Sequence, residues 1–332
     1  DASTGLLALK VTPVADVPNI LVQDVRGTED VNIDVRTLFS GSLTDTDGSE
    51  TLSFELAVPS GWQVIAINGG VVTSPSAGHY IVSATDIAAG RIFLKPAEDI
   101  SSNDIPGGKF AINVTAIATE STQDGIAPAP ATATTSKTVY IELAGVADTP
   151  LISGGSGWVF DALAKTVTGT FLEDTRVALD FVVKTLDNQN TEAINLLLTG
   201  VPAGAKLVDA AGNPINLPIV GSSNGLPVYQ VSAANLHLIY FQPPKDFSGD
   251  TLTLDVRQIS TEPDGHVNST DMQIKLHFTP VDDTLSGQNI ESVGSEDLQI
   301  VLNLMPELKD KDGSETVTAF SILSAGVGQI FY

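Results

Sequence analysis

Apolar and polar residues alternate along most of this chain in short runs, and the runs are rich in Val, Ile, Thr and Phe. Examples are Val31–Val35 (VNIDV), Thr51–Leu56 (TLSFEL), Phe110–Thr115 (FAINVT), Val139–Leu143 (VYIEL), Thr251–Val256 (TLTLDV) and Met272–Phe278 (MQIKLHF). A period of two places successive side chains on opposite faces, so each run predicts a strand with one buried and one wet face. Gly, Pro, Asn and Asp break the runs at regular intervals, the pattern of an all-β sandwich. Helical periodicity is confined to two short turns, near Ser83–Ala89 and Ser232–Leu236, each opening on Ser after one strand and leading into the next.

The pattern repeats. Glu29-Asp30 followed by Asp45-Thr46-Asp47-Gly48-Ser49-Glu50 returns as Glu173-Asp174 with Asp187 to Glu192, and again as Glu296-Asp297 with Asp310 to Glu315. From Glu29 to Glu173 is 144 residues and from Glu173 to Glu296 is 123. A period above about 100 is too long for a solenoid and fits separate domains in tandem. Other elements recur in the same order: Val58–Gly61 with Val201–Gly204, Lys95–Ser101 with Gln242–Ser248, and Glu120…Gly125 with Glu262…Gly265. Ala15-Asp16, Ala147-Asp148 and Val281-Asp282 read as linkers.

The resulting expectation is a closing strand of a preceding module (1–14), a module over 15–147, a second over 148–282, and the first half of a further module (283–332). The second module carries an insert near 153–170 containing Trp158 and Phe160. A hairpin packed on the core or linker is the favoured reading of that insert, and part of a ligand surface the other.

Composition sharpens this picture. The 332 residues contain no Cys, which removes disulfides and thiol chemistry. Forty acids against 16 bases give a net charge of −24, which argues against nucleic acid and anionic membrane surfaces as partners. No apolar run approaches the roughly 18 residues of a membrane helix, so no membrane insertion is expected. The acids are clustered. Two Asp and a Glu within six residues, turning sharply at Gly48, offer convergent oxygens for a hard cation, calcium first. The loop is not an EF-hand, because its Gly falls fourth and its Glu sixth. The alternative is a surface turn whose Asp and Gly simply suit turn geometry.

The candidate ligands are Glu29, Asp30, Asp45, Asp47 and Glu50; Glu173, Asp174, Asp187 and Glu192; and Glu296, Asp297, Asp310, Asp312 and Glu315. The linker acids Asp16, Asp148 and Asp282 join them as residues that could hold an ion where modules meet. The middle loop has lost formal charge, so weaker binding or none is expected there.

Catalysis finds little support: the four His are scattered, and no nucleophile elbow or phosphate loop is present. Trp62 and Trp158 are the weak candidates for a ligand-binding aromatic platform.

Leu238–Leu254 (LIYFQPPKDFSGDTLTL), Val201–Pro214 and the Glu173-Asp174-Thr175 start of a strand together resemble the tandem cadherin-like and Ig-like repeats of giant bacterial RTX-type adhesins exported by type I secretion. The resemblance covers 15–282 and the partial module after it. It implies Greek-key β-sandwich modules in a calcium-stiffened rod at the bacterial cell surface. The expected function is a non-catalytic extender in attachment and biofilm formation, whose partners are the neighbouring modules of the chain. The alternatives are a sugar- or peptide-binding module of the same adhesin, and an accessory domain of a secreted polysaccharide-degrading enzyme.

Overall fold

A computed structural model describes residues 5, 7, 9–186, 191–286, 291–302, 304, 306–310, 312–324, 326 and 329. It is nearly all β and divides into two compact units. The first comprises Asp1–Asp148 with Asp187–Glu192 and Thr261–Val267; the second comprises Thr149–Leu186, Ala193–Ser260 and Asn268–Tyr332.

The first unit holds β1 (Asn19–Val22), β2 (Val25–Thr28), β3 (Ile33–Asp34), β4 (Phe39–Ser42), β5 (Glu50–Ala57), β6 (Gln63–Ala66), β7 (His79–Ser83), β8 (Ile92–Lys95), β9 (Phe110–Glu120) and β10 (Thr132–Ala144). One sheet has the order β2-β10-β9-β5-β7; facing it are β3-β8-β6 and the pair β1-β4. Among the described residues of this unit, β2 alone runs parallel to its neighbour, β10. Non-consecutive strands lie side by side, a Greek-key arrangement. The alternation read from sequence becomes the core. Along β9 the inward residues Phe110, Ile112, Val114, Ala116 and Ala118 are buried, and Leu38, Leu56, Val64, Leu94 and Ile141 complete the cluster. Trp62 packs on Phe110 with ring centroids 5.0 Å apart.

The second unit repeats the plan with β11 (Leu151–Ser153), β12 (Trp158–Asp161), β13 (Thr166–Leu172), β14 (Val177–Ala178), β15 (Val182–Lys184), β16 (Ala193–Thr199), β17 (Lys206–Val208), β18 (Ile219–Ser223), β19 (Leu226–Ser232), β20 (Tyr240–Gln242), β21 (Thr251–Thr261) and β22 (Val267–Thr279). Its larger sheet has the order β12-β13-β22-β21-β16-β19-β18, with β13 parallel to β22, as β2 is to β10. Strands β12 and β18 extend that sheet at its two edges beyond the five-stranded plan of the first unit.

The insert therefore adds β12, which forms a hairpin with β13. Trp158 is 7 % exposed, donates from Nε1 to Asp180 Oδ1 at 2.9 Å, and packs edge-on against Phe171 and Phe181. Gly169 lies beneath these rings; a Cβ there would sit 2.4 Å from Phe171, so the close packing requires glycine.

Both predicted helical turns form. Helix α1 (Ala84–Ala88) is capped by Ser83, whose hydroxyl accepts from the Asp86 N–H, and Ala233–Leu238 is a 3₁₀ turn following Ser232. After Thr279 no strand forms among the described residues, only a single bridge between Ser286 and Glu307.

Candidate metal sites

Each unit ends its parallel strand on a glutamate, and the parallel pairing aims that glutamate at the chain leaving the sandwich. After β2, the Glu29 N–H donates to the Ala144 carbonyl at 3.0 Å, and Glu29 Oε1 accepts from the Val146 N–H at 2.5 Å. After β13, the Glu173 N–H donates to the Thr279 carbonyl at 3.0 Å, and Glu173 Oε1 accepts from the Val281 N–H.

A second glutamate, at the end of the acidic loop, holds the residue two positions further along the linker. Glu192 Oε1 accepts from the Asp148 N–H at 2.5 Å, and Glu315 Oε1 accepts from the Asp283 N–H. Glu50 Oε1 accepts from the Asp16 N–H at 2.6 Å in the same way. These bonds correct the linker register. Asp283, not Asp282, is the counterpart of Asp16 and Asp148, because the sequence match aligned the first acid of Asp282-Asp283 and the backbone bond selects the second.

The acidic loops themselves are copies in detail. Asp45 Oδ1 accepts from the Asp47 N–H at 2.9 Å and Asp47 Oδ1 from the Ser49 N–H at 2.7 Å; Asp310 and Asp312 make the same bonds, 2.9 and 2.7 Å, to Asp312 and Ser314. Gly48 and Gly313 follow with φ of 87° and 90°, a turn that favours glycine. Hydrogen bonds from Ser49 hold the Asp47 carboxyl below the usual range. Asp312 is held still lower, chiefly by the Ser248 hydroxyl, which donates to its Oδ2 at 2.7 Å. Such donors favour the charged form. Asp187 lies outside the described residues.

In the second unit the acids converge into two groups. Ligand oxygens of Glu173, Asp310 and Asp312 all lie within 4.8 Å of one another, as do those of Asp174, Asp246 and Asp283. The second group is tied by the Asp246 N–H, which donates to Asp174 Oδ1 at 3.0 Å. Asp99 and Asp30 make the equivalent bond in the first unit, at 3.2 Å. All four residues have positive φ: 58° at Asp30, 55° at Asp99, 55° at Asp174 and 56° at Asp246. A non-glycine residue held there costs about 1–3 kcal/mol and is characteristic of functional sites.

Sequence reading did not select Asp99, Asp246, Asp283 or Glu120 (buried, and accepting from the Ser49 hydroxyl at 3.1 Å). The signal for Asp99 and Asp246 was present in the matched Lys95–Ser101 and Gln242–Ser248 segments. Glu296 and Asp297 are exposed and join no cluster among the described residues.

The donor set fits a hard cation. Every member is a carboxylate, with no sulfur or imidazole. Glu50 and Glu173 are 7 % and 6 % exposed, and each uses only one oxygen on the linker. The other oxygens, Glu50 Oε2 and Glu173 Oε2, are buried without a hydrogen-bond partner among the described residues, as is Glu192 Oε2. An ionised carboxylate oxygen removed from water and left unpaired is strongly unfavourable, and a bound divalent cation would satisfy it. Calcium, which accepts six to eight oxygens in irregular geometry, suits these loops better than octahedral magnesium.

The structure withdraws the aromatic candidates: Trp62 is 3 % and Trp158 7 % exposed, so neither presents a ring face to a ligand. A groove of about 600 Å³ lies on the outer face of the second unit's large sheet, where Arg257 and Asp271 bind each other through two contacts of 2.7 and 2.9 Å. No helix among the described residues is long and apolar enough to cross a membrane.

No protein-family model and no curated protein matches the chain. Similar solved structures are cadherin extracellular repeats. Human CDH23 EC21–23 is 14 % identical, with 87 % of this chain and 84 % of that chain covered and a TM-score of 0.40. Mouse cadherin-23 EC22–24 is 12 % identical, with 89 % and 78 % covered and a TM-score of 0.34. Against extracellular cadherin domains 3–6 of protocadherin gamma B2, the identity is 9 %, the TM-score 0.36 and the coverage 85 % of this chain, which spans 56 % of that structure.

Proposed function

We propose that this chain is a non-catalytic, calcium-binding extender segment of a secreted bacterial adhesin, acting outside the cell in surface attachment and biofilm formation. Its partners are then the neighbouring modules of the same chain, with boundaries at 15–147 and 148–282 and flanking pieces over 1–14 and 283–332. The observation that carries this reading is the repeated double hold on the linker. A glutamate from the end of the parallel strand and another from the acidic loop each bind one linker N–H, and unpaired buried oxygens remain at Glu50, Glu173 and Glu192. Glu173, Asp310 and Asp312 would hold one ion, and Asp174, Asp246 and Asp283 another. Calcium would supply charge neutralisation and cross-link loop to linker. The chain's own residues fix the carboxylates through backbone bonds and serine hydroxyls before an ion arrives.

The test is thermal unfolding with small-angle scattering in excess calcium, in EGTA, and in magnesium. A ligand specific for the folded state adds about 2.7 kcal/mol at a hundredfold excess over Kd, which for units of this size raises Tm by roughly 5–10 °C. Calcium is expected to give that rise and a longer, stiffer envelope, and magnesium much less. Melting curves and scattering that ignore calcium would reduce the acidic loops to solvated turns and end the extender reading.

A further inference from the structure

The inward face of β21 carries Leu254, Val256, Gln258 and Ser260, all at most 2 % exposed. Glu120 and Glu262 close the matching strands β9 and β21, so Gln258 and Ser260 occupy the places that Ala116 and Ala118 hold in the first unit. Both alanines are fully buried, and Ala116 belongs to the first unit's hydrophobic cluster. In the second unit the same positions bring an amide and a hydroxyl into the core. Gln258 Oε1, Gln258 Nε2 and Ser260 Oγ are all buried and have no hydrogen-bond partner among the described residues.

Packing alone accounts for part of this. Ala116 sits opposite Phe54 in the first unit. Counting four residues on from Glu192, as Phe54 is from Glu50, gives Leu196, so a smaller side chain on that strand accompanies the larger Gln258. Volume does not explain the choice of an amide over Met or Leu. An unpaired buried polar group costs about 1–3 kcal/mol, and three such atoms lie within one stretch of strand. The backbone of a central strand is engaged in its two ladders and cannot supply the missing bonds.

We infer that Gln258 and Ser260 form an internal hydration site that holds one or two long-lived water molecules inside the second unit, a site the first unit lacks. The chemistry selects water. The Nε2 hydrogens repel a cation, Oε1 repels an anion, and an apolar guest leaves all three atoms unpaired. Water donates and accepts together. Residues i and i+2 on one face of a strand lie roughly 7 Å apart, so a water on each polar tip, the two bonded to each other, or one water between a Gln258 amide leaning along the strand and the Ser260 hydroxyl would satisfy the atoms. Internal waters typically make two to four such bonds.

The experiment uses the calcium-saturated chain and reads magnetisation transfer between water and the Gln258 side-chain amide hydrogens by NMR. The expected result is a contact with the sign of a water resident for longer than nanoseconds, altered in Ser260→Ala. Thermal melting of the nearly isosteric Gln258→Met is the second readout. If water already satisfies the amide, Met leaves Tm unchanged or lowers it. Absence of the water contact in the wild-type chain would overturn the site. So would a rise in Tm of about 4 °C or more in Gln258→Met, the signature of relieving an unsatisfied amide. The wild-type spectrum decides the question even if a variant fails to fold.

Discussion

A single glutamate shows how the proposed ion binding would be coupled to folding. Glu173 spends one oxygen on the Val281 N–H and keeps the other buried beside Asp310 and Asp312. Glu173→Gln retains an oxygen for the linker and removes the charge. Its melting temperature in EGTA is expected to match or exceed that of the wild type, because repulsion within the cluster falls. Its calcium affinity, read by calorimetry, is expected to fall at least about tenfold, since even outer-sphere substitutions at metal sites reach that range. The linker register makes a sharper comparison. Asp283→Asn should weaken calcium binding and Asp282→Asn should not; equal effects would refute the assignment of Asp283 to the cluster. Acid provides a third check. Asp47 and Asp312 have folded pKa values depressed by serine donors, so their ionised contribution is complete above the unfolded value near 4 and is lost only as pH falls through the depressed one. Both are exposed and contribute little to stability by themselves. The calcium-induced rise in Tm is therefore expected to persist at pH 5 and to decline only as pH falls below the unfolded value toward the depressed ones of Asp47 and Asp312.

At the scale of elements, the insert in the second unit is a structural hairpin whose indole is core. Trp158→Ala is expected to cost about 3–5 kcal/mol, measured by denaturant unfolding. Val159 points outward at 70 % exposure, and its replacement by Thr should change stability by less than about 0.5 kcal/mol. Much of this level was legible in sequence. Alternation alone gave β5, β9, β21 and β22, because each has one wet and one dry face, and Ser83 announced helix α1 through its cap. The edge strand β18 was not legible: all five of its residues are exposed, so no alternation marks it. The second acidic cluster was missed for a different reason. Asp174, Asp246 and Asp283 stand far apart in sequence; the turn after β20 donates a backbone N–H to the loop after β13, and Glu315 holds the Asp283 N–H. The left-handed φ values of Asp174 and Asp246 have no sequence signal when the residue is Asp rather than Gly. The one-residue slip at Asp282 arose because two adjacent acids look alike until a backbone bond distinguishes them.

Across the whole molecule the charge is segregated rather than spread. No Asp, Glu, Lys or Arg occurs from Leu56 to Thr85, nor from Ala210 to Pro244, while the loops and linkers carry runs of carboxylates within the total of −24. This distribution separates two effects that calcium could have. General screening acts on all exposed charges and is delivered by any salt; at about 0.15 M the Debye length is already near 8 Å. Site binding acts only where buried oxygens wait for a ligand, and monovalent ions meet that need poorly. Sodium chloride at that strength is therefore expected to raise Tm slightly and to leave the envelope seen by scattering unchanged. Low-millimolar calcium added on top should produce a further, larger rise that magnesium does not reproduce and EGTA reverses. Matching sodium chloride to the calcium response would show that the acids act as a diffuse charge. The paired glutamates of the linkers would then be hydrogen-bond anchors alone, and the calcium assignment would fall while the fold stood.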